Sequence, residues 1–132
     1  MSLSPKRGMV LAAGLATRMR PLTDTIAKPL LHVAGRSLLD RALDHLANAG
    51  VERVVVNTHW HADPVRDALA TRDRPEVIES HEEALLETGG GVVRALPHLG
   101  EAPFYIVNGD AFWLDGARPA LARLADAFDP DT

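Results

Sequence analysis

The sequence predicts an α/β fold, a Rossmann-like and mostly parallel sheet with helices on both faces. Short apolar runs suited to buried strands alternate along the chain with amphipathic helical patterns. No tight hairpin turn joins one run to the next, so each connection reads as a right-handed crossover. The 132 residues suit one domain with a sizeable core, and the hydrophobic and charged fractions are those of ordinary globular proteins. A single domain over residues 1–132 is therefore expected.

Taken in order, Met1 to Gly8 reads as a frayed lead-in, and Met9-Val10-Leu11 as the first buried strand, ended by the small residues Ala12-Ala13-Gly14. Pro29 to Val33 is a short extended piece and Ala34-Gly35-Arg36 a turn. Ser37 then caps a helix, with Asp40 at the third following position in a variant of the capping box. Leu39, Leu43 and Leu46 give that helix a core-facing stripe, and Asn48-Ala49-Gly50 ends it. Arg53-Val54-Val55-Val56-Asn57 is too apolar to be half-exposed and belongs inside a parallel sheet. Asp63 as cap and Pro64 at the first helical position open a helix that runs to about Thr71.

Glu76-Val77-Ile78-Glu79-Ser80 is the third strand. His81 to Glu87 leads to Thr88-Gly89-Gly90-Gly91, where Thr88 can cap a helix carrying Val92, Val93, Ala95 and Leu96. Phe104 to Asn108 is the fourth strand and runs into Gly109-Asp110. Beyond Pro119 a last helix, with Leu121, Leu124 and Ala125 on one side, reaches about Phe128. No internal repeat, low-complexity segment or domain linker interrupts this order.

Composition narrows the function. A net charge of −4 argues against a broad nucleic-acid or membrane surface, either of which needs an excess of Lys and Arg. With no cysteine there is no disulfide, thiol nucleophile or zinc–thiolate site, as suits a reducing compartment. Met1 to Gly8 has cations but no apolar run long enough for a signal peptide or membrane span. The expectation is a cytoplasmic protein, monomeric or weakly homo-oligomeric.

In parallel sheets ligands sit outside the carboxyl ends of the strands. That rule gathers the Gly14 loop, His59, the Glu87 to Gly91 stretch and Asp110 around one cleft. From Met9 to Lys28 a small-residue loop follows the first strand, so backbone N–H groups can approach phosphates while Arg18, Arg20 and Lys28 supply positive charge. A dinucleotide-binding fingerprint needs G-x-G-x-x-G and an acid ending the second strand; here the loop is Gly14-Leu15-Ala16-Thr17-Arg18-Met19 and the strand ends in Asn57. A Walker loop is excluded because no G-K-[ST] follows the glycine. A nucleoside triphosphate held by a different loop remains.

The other polar residues have plainer readings beside them. Arg20 is either a phosphate contact or a structural ion-pair partner, and Asp115 before Gly116 is a turn residue. Glu87 serves a ligand or is merely solvated, and Thr88 to Gly91 is a ligand segment or a flexible helix cap. His59-Trp60-His61 lacks a third ligand for a transition metal and reads as a loop at the cleft edge. Trp113 stacks on a sugar or covers the end of the fourth strand; His32, His45, His81 and His98 receive no role.

L-A-A-G-L-A-T-R-M-R-P-L-T, then K-P, E-T-G-G-G and V-N-G-D, resembles the sugar-1-phosphate nucleotidyltransferase family, with its motifs in order from Met9 to about Leu124. The resemblance implies a GT-A-like nucleotidyltransferase fold and attack by a sugar-1-phosphate oxygen on the α-phosphorus of UTP, giving a UDP-sugar and pyrophosphate. N-acetylmuramate-1-phosphate is the first sugar phosphate it suggests. Mannose-1-phosphate with GTP, or glucose-1-phosphate with UTP or dTTP, are alternatives, and a non-catalytic nucleotide-binding module is the alternative of another class.

By the same resemblance the Leu11, Ala12, Ala13 and Gly14 backbone holds the nucleotide, Arg18 contacts the departing pyrophosphate, and Lys28 the phosphates at the reacting centre. Glu87, Thr88 and Gly89 match the base-reading segment, Asn108 a substrate contact, and Asp110 the aspartate that binds Mg²⁺. Two positions depart from the pattern: Ala16 replaces a glycine and Ala27 a proline. Family members are longer, so residues 1–132 correspond to an N-terminal part, with a second metal-binding aspartate and much of the sugar pocket expected beyond Thr132.

Overall fold

The computed structural model of the chain describes residues 5–13, 30–59, 62–82, 88–109 and 120–128. The elements are β1 (Arg7–Leu11), β2 (His32–Val33), β3 (Arg36–Ser37), α1 (Leu38–Asn48), β4 (Arg53–Thr58), α2 (Ala62–Ala70), β5 (Glu76–His81), α3 (Thr88–Leu99), β6 (Tyr105–Asn108) and α4 (Ala120–Ala127). Among the described residues the main sheet has four strands in the order β5-β4-β1-β6, every pair parallel. Helices cover both faces, as expected. On one face Val10, Val54 and Val56 meet Leu39, Leu43 and Leu46 of α1, Val65 and Leu69 of α2, and Leu121 and Ala125 of α4. On the other, Met9 and Val55 meet Ala95 and Leu99 of α3. Successive residues of β1 and β4 thus enter opposite cores, which explains why their sequences are apolar without alternation.

The Ser37 cap is present: its Oγ accepts the Asp40 N–H at 3.0 Å. The other half of the capping box is replaced, because Asp40 turns its carboxylate to Arg72 at 2.9 Å. Gly50, at φ +90°, ends α1 where the sequence expects. The turn that ends the helix is closed by the Val51 N–H on the Leu46 carbonyl, 3.1 Å.

Several expectations need correction. The lead-in is not frayed over Pro5 to Gly8: Pro5 is buried, β1 begins at Arg7, and the Lys6 carbonyl accepts N–H groups of Glu52 and Arg53 at 2.8 and 3.2 Å. A tight hairpin does occur, β2 to β3, antiparallel and outside the main sheet. Its turn residues Ala34 and Gly35 have φ of 54° and 84°, the left-handed pair that suits a two-residue hairpin.

Asp63 lies inside α2 rather than capping it, and pairs with Arg66 at 2.7 Å. Thr88 is likewise the first residue of α3, so the three glycines form its first turn. That helix faces the core with Gly91, Ala95 and Leu99, spaced four apart, while Val93 and Leu96 are 65% and 41% exposed. In α4, Leu121 and Ala125 face inward and Leu124 is 58% exposed.

Candidate functional site

The strands carry the site through their carboxyl ends. Register places Leu11 between Asn57 of β4 and Asn108 of β6, so the carboxyl ends of three adjacent strands lie side by side. Just beyond, the Gly109 N–H donates to the Leu11 carbonyl at 2.9 Å. β1 leaves the sheet at Ala12 and Ala13, both buried and small, so backbone rather than side chain borders the space above them.

The departure is held by a side chain. The Ala12 N–H donates to Asn57 Oδ1 at 2.7 Å, and Asn57 Nδ2 donates to Glu82 Oε2 at 3.1 Å. Asn57 is almost fully buried and Glu82 entirely so. The opening turn of α3 rests on this pair: a Cβ added at Gly91 would fall 3.0 Å from Glu82 Oε2 and 3.1 Å from Asn57 Nδ2. Gly91 therefore permits a close approach that alanine would obstruct. Gly89 and Gly90, in the same turn, are exposed. A helix that begins with glycines offers unpaired N–H groups to an anion without side chains in the way.

Around the rim, Glu82 N–H donates to the Thr58 carbonyl at 2.7 Å and His59 Nδ1 donates to the Glu82 carbonyl at 2.6 Å. His59 is thereby used to fasten the ends of β4 and β5 together. Thr58 Oγ donates to Glu79 at 2.7 Å and lies 3.0 Å from His81 Nδ1. Arg66 grips both oxygens of Glu79, at 2.7 and 2.9 Å, and these hydrogen bonds hold its carboxyl below the ordinary carboxylate range despite burial.

Of the expected site residues, Leu11, Ala12, Ala13, Thr88, Gly89 and Asn108 fall at this end of the sheet. Asn108 is exposed there. Gly14, Arg18, Arg20, Lys28, Trp60, His61, Glu87, Asp110, Trp113 and Asp115 lie outside the described residues. Among the described residues no group of three or more His, Cys, Asp or Glu could hold a metal ion. A cleft of about 510 Å³ opens at the amino ends of β4 and β5, bordered by Gly50, Glu52, Arg72 and Arg74. It lies at the wrong end of a parallel sheet for substrate, and Arg72 there is already committed to Asp40 and Asp44 at 2.9 Å each.

Asn57 and Glu82 are the residues sequence reasoning missed. Asn57 served only to exclude a dinucleotide site, although a polar residue directly after three consecutive valines near the carboxyl end of a strand is itself a signal at this position. Glu82 stands in a polar stretch with Glu83, and nothing in the sequence says that it is buried.

Residues 8–132 match the family described as MobA-like NTP transferase domain. N-acetylmuramate alpha-1-phosphate uridylyltransferase of Caulobacter vibrioides is 47% identical over 99% of this chain and 56% of its own length. The protein of the same name from Neisseria meningitidis serogroup B is 47% identical over 79% of this chain and 46% of its own. The chain spans about half the length of these curated relatives. Among solved structures, HddC from Yersinia pseudotuberculosis in complex with GMP-PN aligns with TM-score 0.70 at 28% identity, covering 80% of this chain and 48% of that one.

Proposed function

The chain belongs to the MobA-like NTP transferase domain family, and from that premise we propose that it is the nucleotide-binding, N-terminal part of a sugar-1-phosphate uridylyltransferase. The proposed reaction joins N-acetylmuramate-1-phosphate to UTP. A phosphate oxygen of the sugar phosphate bonds to the α-phosphorus, the bond from that phosphorus to the bridging oxygen breaks, and pyrophosphate leaves with the electron pair. The observation that carries this is the convergence, at one end of the sheet, of the small residues ending β1, Asn108 of β6 and the glycine-rich first turn of α3. Likeness to uridylyltransferases over nearly the whole chain supports the choice of UTP and of the sugar phosphate.

In-line transfer between anions asks the protein for positioning and charge neutralisation rather than for a covalent nucleophile. In this proposal the main chain from Leu11 through Gly14 presents the nucleotide, while Glu87, Thr88 and Gly89 read the base. Arg18 meets the departing pyrophosphate, Lys28 the phosphates at the reacting centre, and Asn108 the substrate. The described residues alone do not make a metal site, but β6 ends beside β1 at the residue preceding Gly109 and Asp110. Mg²⁺ needs only one or two carboxylates when phosphates and water complete its shell, so Asp110 suits it. When bound, the ion would neutralise phosphate charge.

No helix among the described residues is long and apolar enough to cross a membrane. Work in the cytoplasm, as a monomer or weak homo-oligomer, completes the proposal. Measuring pyrophosphate release with sugar phosphates against UTP, GTP and dTTP tests it; fastest release with N-acetylmuramate-1-phosphate and UTP is expected, and preference for another pair replaces the substrate. In the full-length gene product, Lys28→Ala or Asp110→Ala should lower kcat/KM by about 100-fold or more, as loss of one preorganised charge-stabilising group does. Near-normal turnover in both variants would remove these residues from the chemistry.

A further inference from the structure

The polar chain from Ala12 through Asn57 to Glu82 does more than close the core. Main-chain pairing between β1 and β4 reaches Leu11 opposite Asn57, and the next N–H, that of Ala12, goes to a side chain, 2.7 Å from Asn57 Oδ1. The direction in which β1 leaves the sheet thus depends on how one amide is turned. Its orientation is fixed from both ends: a backbone N–H requires the amide oxygen on the β1 side, and the Glu82 carboxylate, 3.1 Å away, requires the NH₂ on the other. Both residues are buried, so a wrong turn would strand polar groups away from water. Gly91 leaves room for the first turn of α3 to press on the same pair, with a Cβ position only 3.0 Å from Glu82 Oε2. A shift of that turn therefore reaches the Ala12 main chain through two side chains.

We propose that Asn57 is a positioning residue that, through Glu82, sets the main chain at Ala12 and the first turn of α3 as one rigid unit, so that two walls of the nucleotide site are fixed relative to each other before ligand enters. The inference rests on the nucleotide-binding reading of this site. Asn57 touches no reacting atom in this account; it acts through Ala12.

The test uses the whole chain with MgUTP as probe, reading affinity by titration and, without ligand, hydrogen exchange at the Ala12 amide. Asn57→Leu, similar in size but unable to hydrogen-bond, should speed Ala12 exchange and weaken MgUTP binding, each by about tenfold or more. Glu82→Gln keeps an acceptor for Asn57 Nδ2 and should stay within about threefold of the parent in both measurements. Gly91→Ala favours the helix yet presses a methyl group on the pair, and should weaken MgUTP by about tenfold while the protein stays folded. Leu69→Ala, in α2 on the opposite face from α3, should lower Tm yet leave affinity within about threefold.

Should Asn57→Leu fail to fold, Gly91→Ala and Glu82→Gln decide. Parent-like affinity in Gly91→Ala and in folded Asn57→Leu overturns the coupling while the nucleotide reading stands. A Glu82→Gln variant as weak as Asn57→Leu also overturns it, since charge and not hydrogen-bonded geometry would then matter. Failure of the parent chain itself to bind MgUTP refutes the nucleotide reading and this inference with it.

Discussion

At the scale of single residues, the ion pairs of Asp44 and Glu79 contribute to the response to acid. Burial alone would raise the Asp44 carboxyl, but hydrogen bonds from Arg36 and Arg72 outweigh it and hold the group below the ordinary carboxylate range. Glu79 is lowered by Arg66 first, and by Thr58. A lowered folded value means that the native state binds fewer protons than the unfolded chain. The stabilisation is therefore present above the ordinary carboxylate range, about pH 4, and lost as pH falls through it to the lower folded values. Melting temperature measured against pH should fall on that side, and Asp44→Asn should flatten the fall because it removes the contribution at neutral pH. Both groups are partly exposed, so the effect is modest. At this scale the sequence was legible where chemistry is local: Ser37 caps the helix it precedes because a hydroxyl and an N–H three residues on need nothing else. Asn57 and Glu82 were illegible, because their partners are 45 and 25 residues apart in sequence.

At the scale of elements, a helix was legible when its apolar residues occupied one stripe only. Leu39, Leu43 and Leu46 of α1 are all buried as their spacing predicts. The helices α3 and α4 carry apolar residues on two sides, so spacing could not choose between Val93 and Ala95, or between Leu124 and Ala125; packing on the sheet chose. The assignments separate by experiment. Leu43→Ala, in a fully buried site, should lower unfolding free energy by about 2–5 kcal/mol, whereas Leu124→Ala on the exposed side of α4 should change it by about 0.5 kcal/mol or less. Denaturant titration of the two purified variants measures both. Equal losses would mean that α4 is turned the other way. The β2–β3 hairpin escaped because its strands are two residues each, too short for any alternation to register.

At the scale of the whole molecule, alternation of strand and helix was enough to predict a parallel sheet, and the parallel sheet was enough to say at which end a ligand belongs. The small residues after β1, Asn108 and the opening turn of α3 gather there, while the cleft of about 510 Å³ sits at the other end, beside an Arg72 already paired with Asp40 and Asp44. What topology could not supply is the buried link beneath the site, a property of side chains from β4 and the loop after β5. The chain spans about half of its curated relatives, so the central claim is that this half binds nucleotide. Isothermal titration of the chain with UTP and Mg²⁺ tests it most directly. Saturable, Mg²⁺-dependent binding stronger with UTP than with GTP is the predicted result; no heat of binding at millimolar UTP would contradict the account.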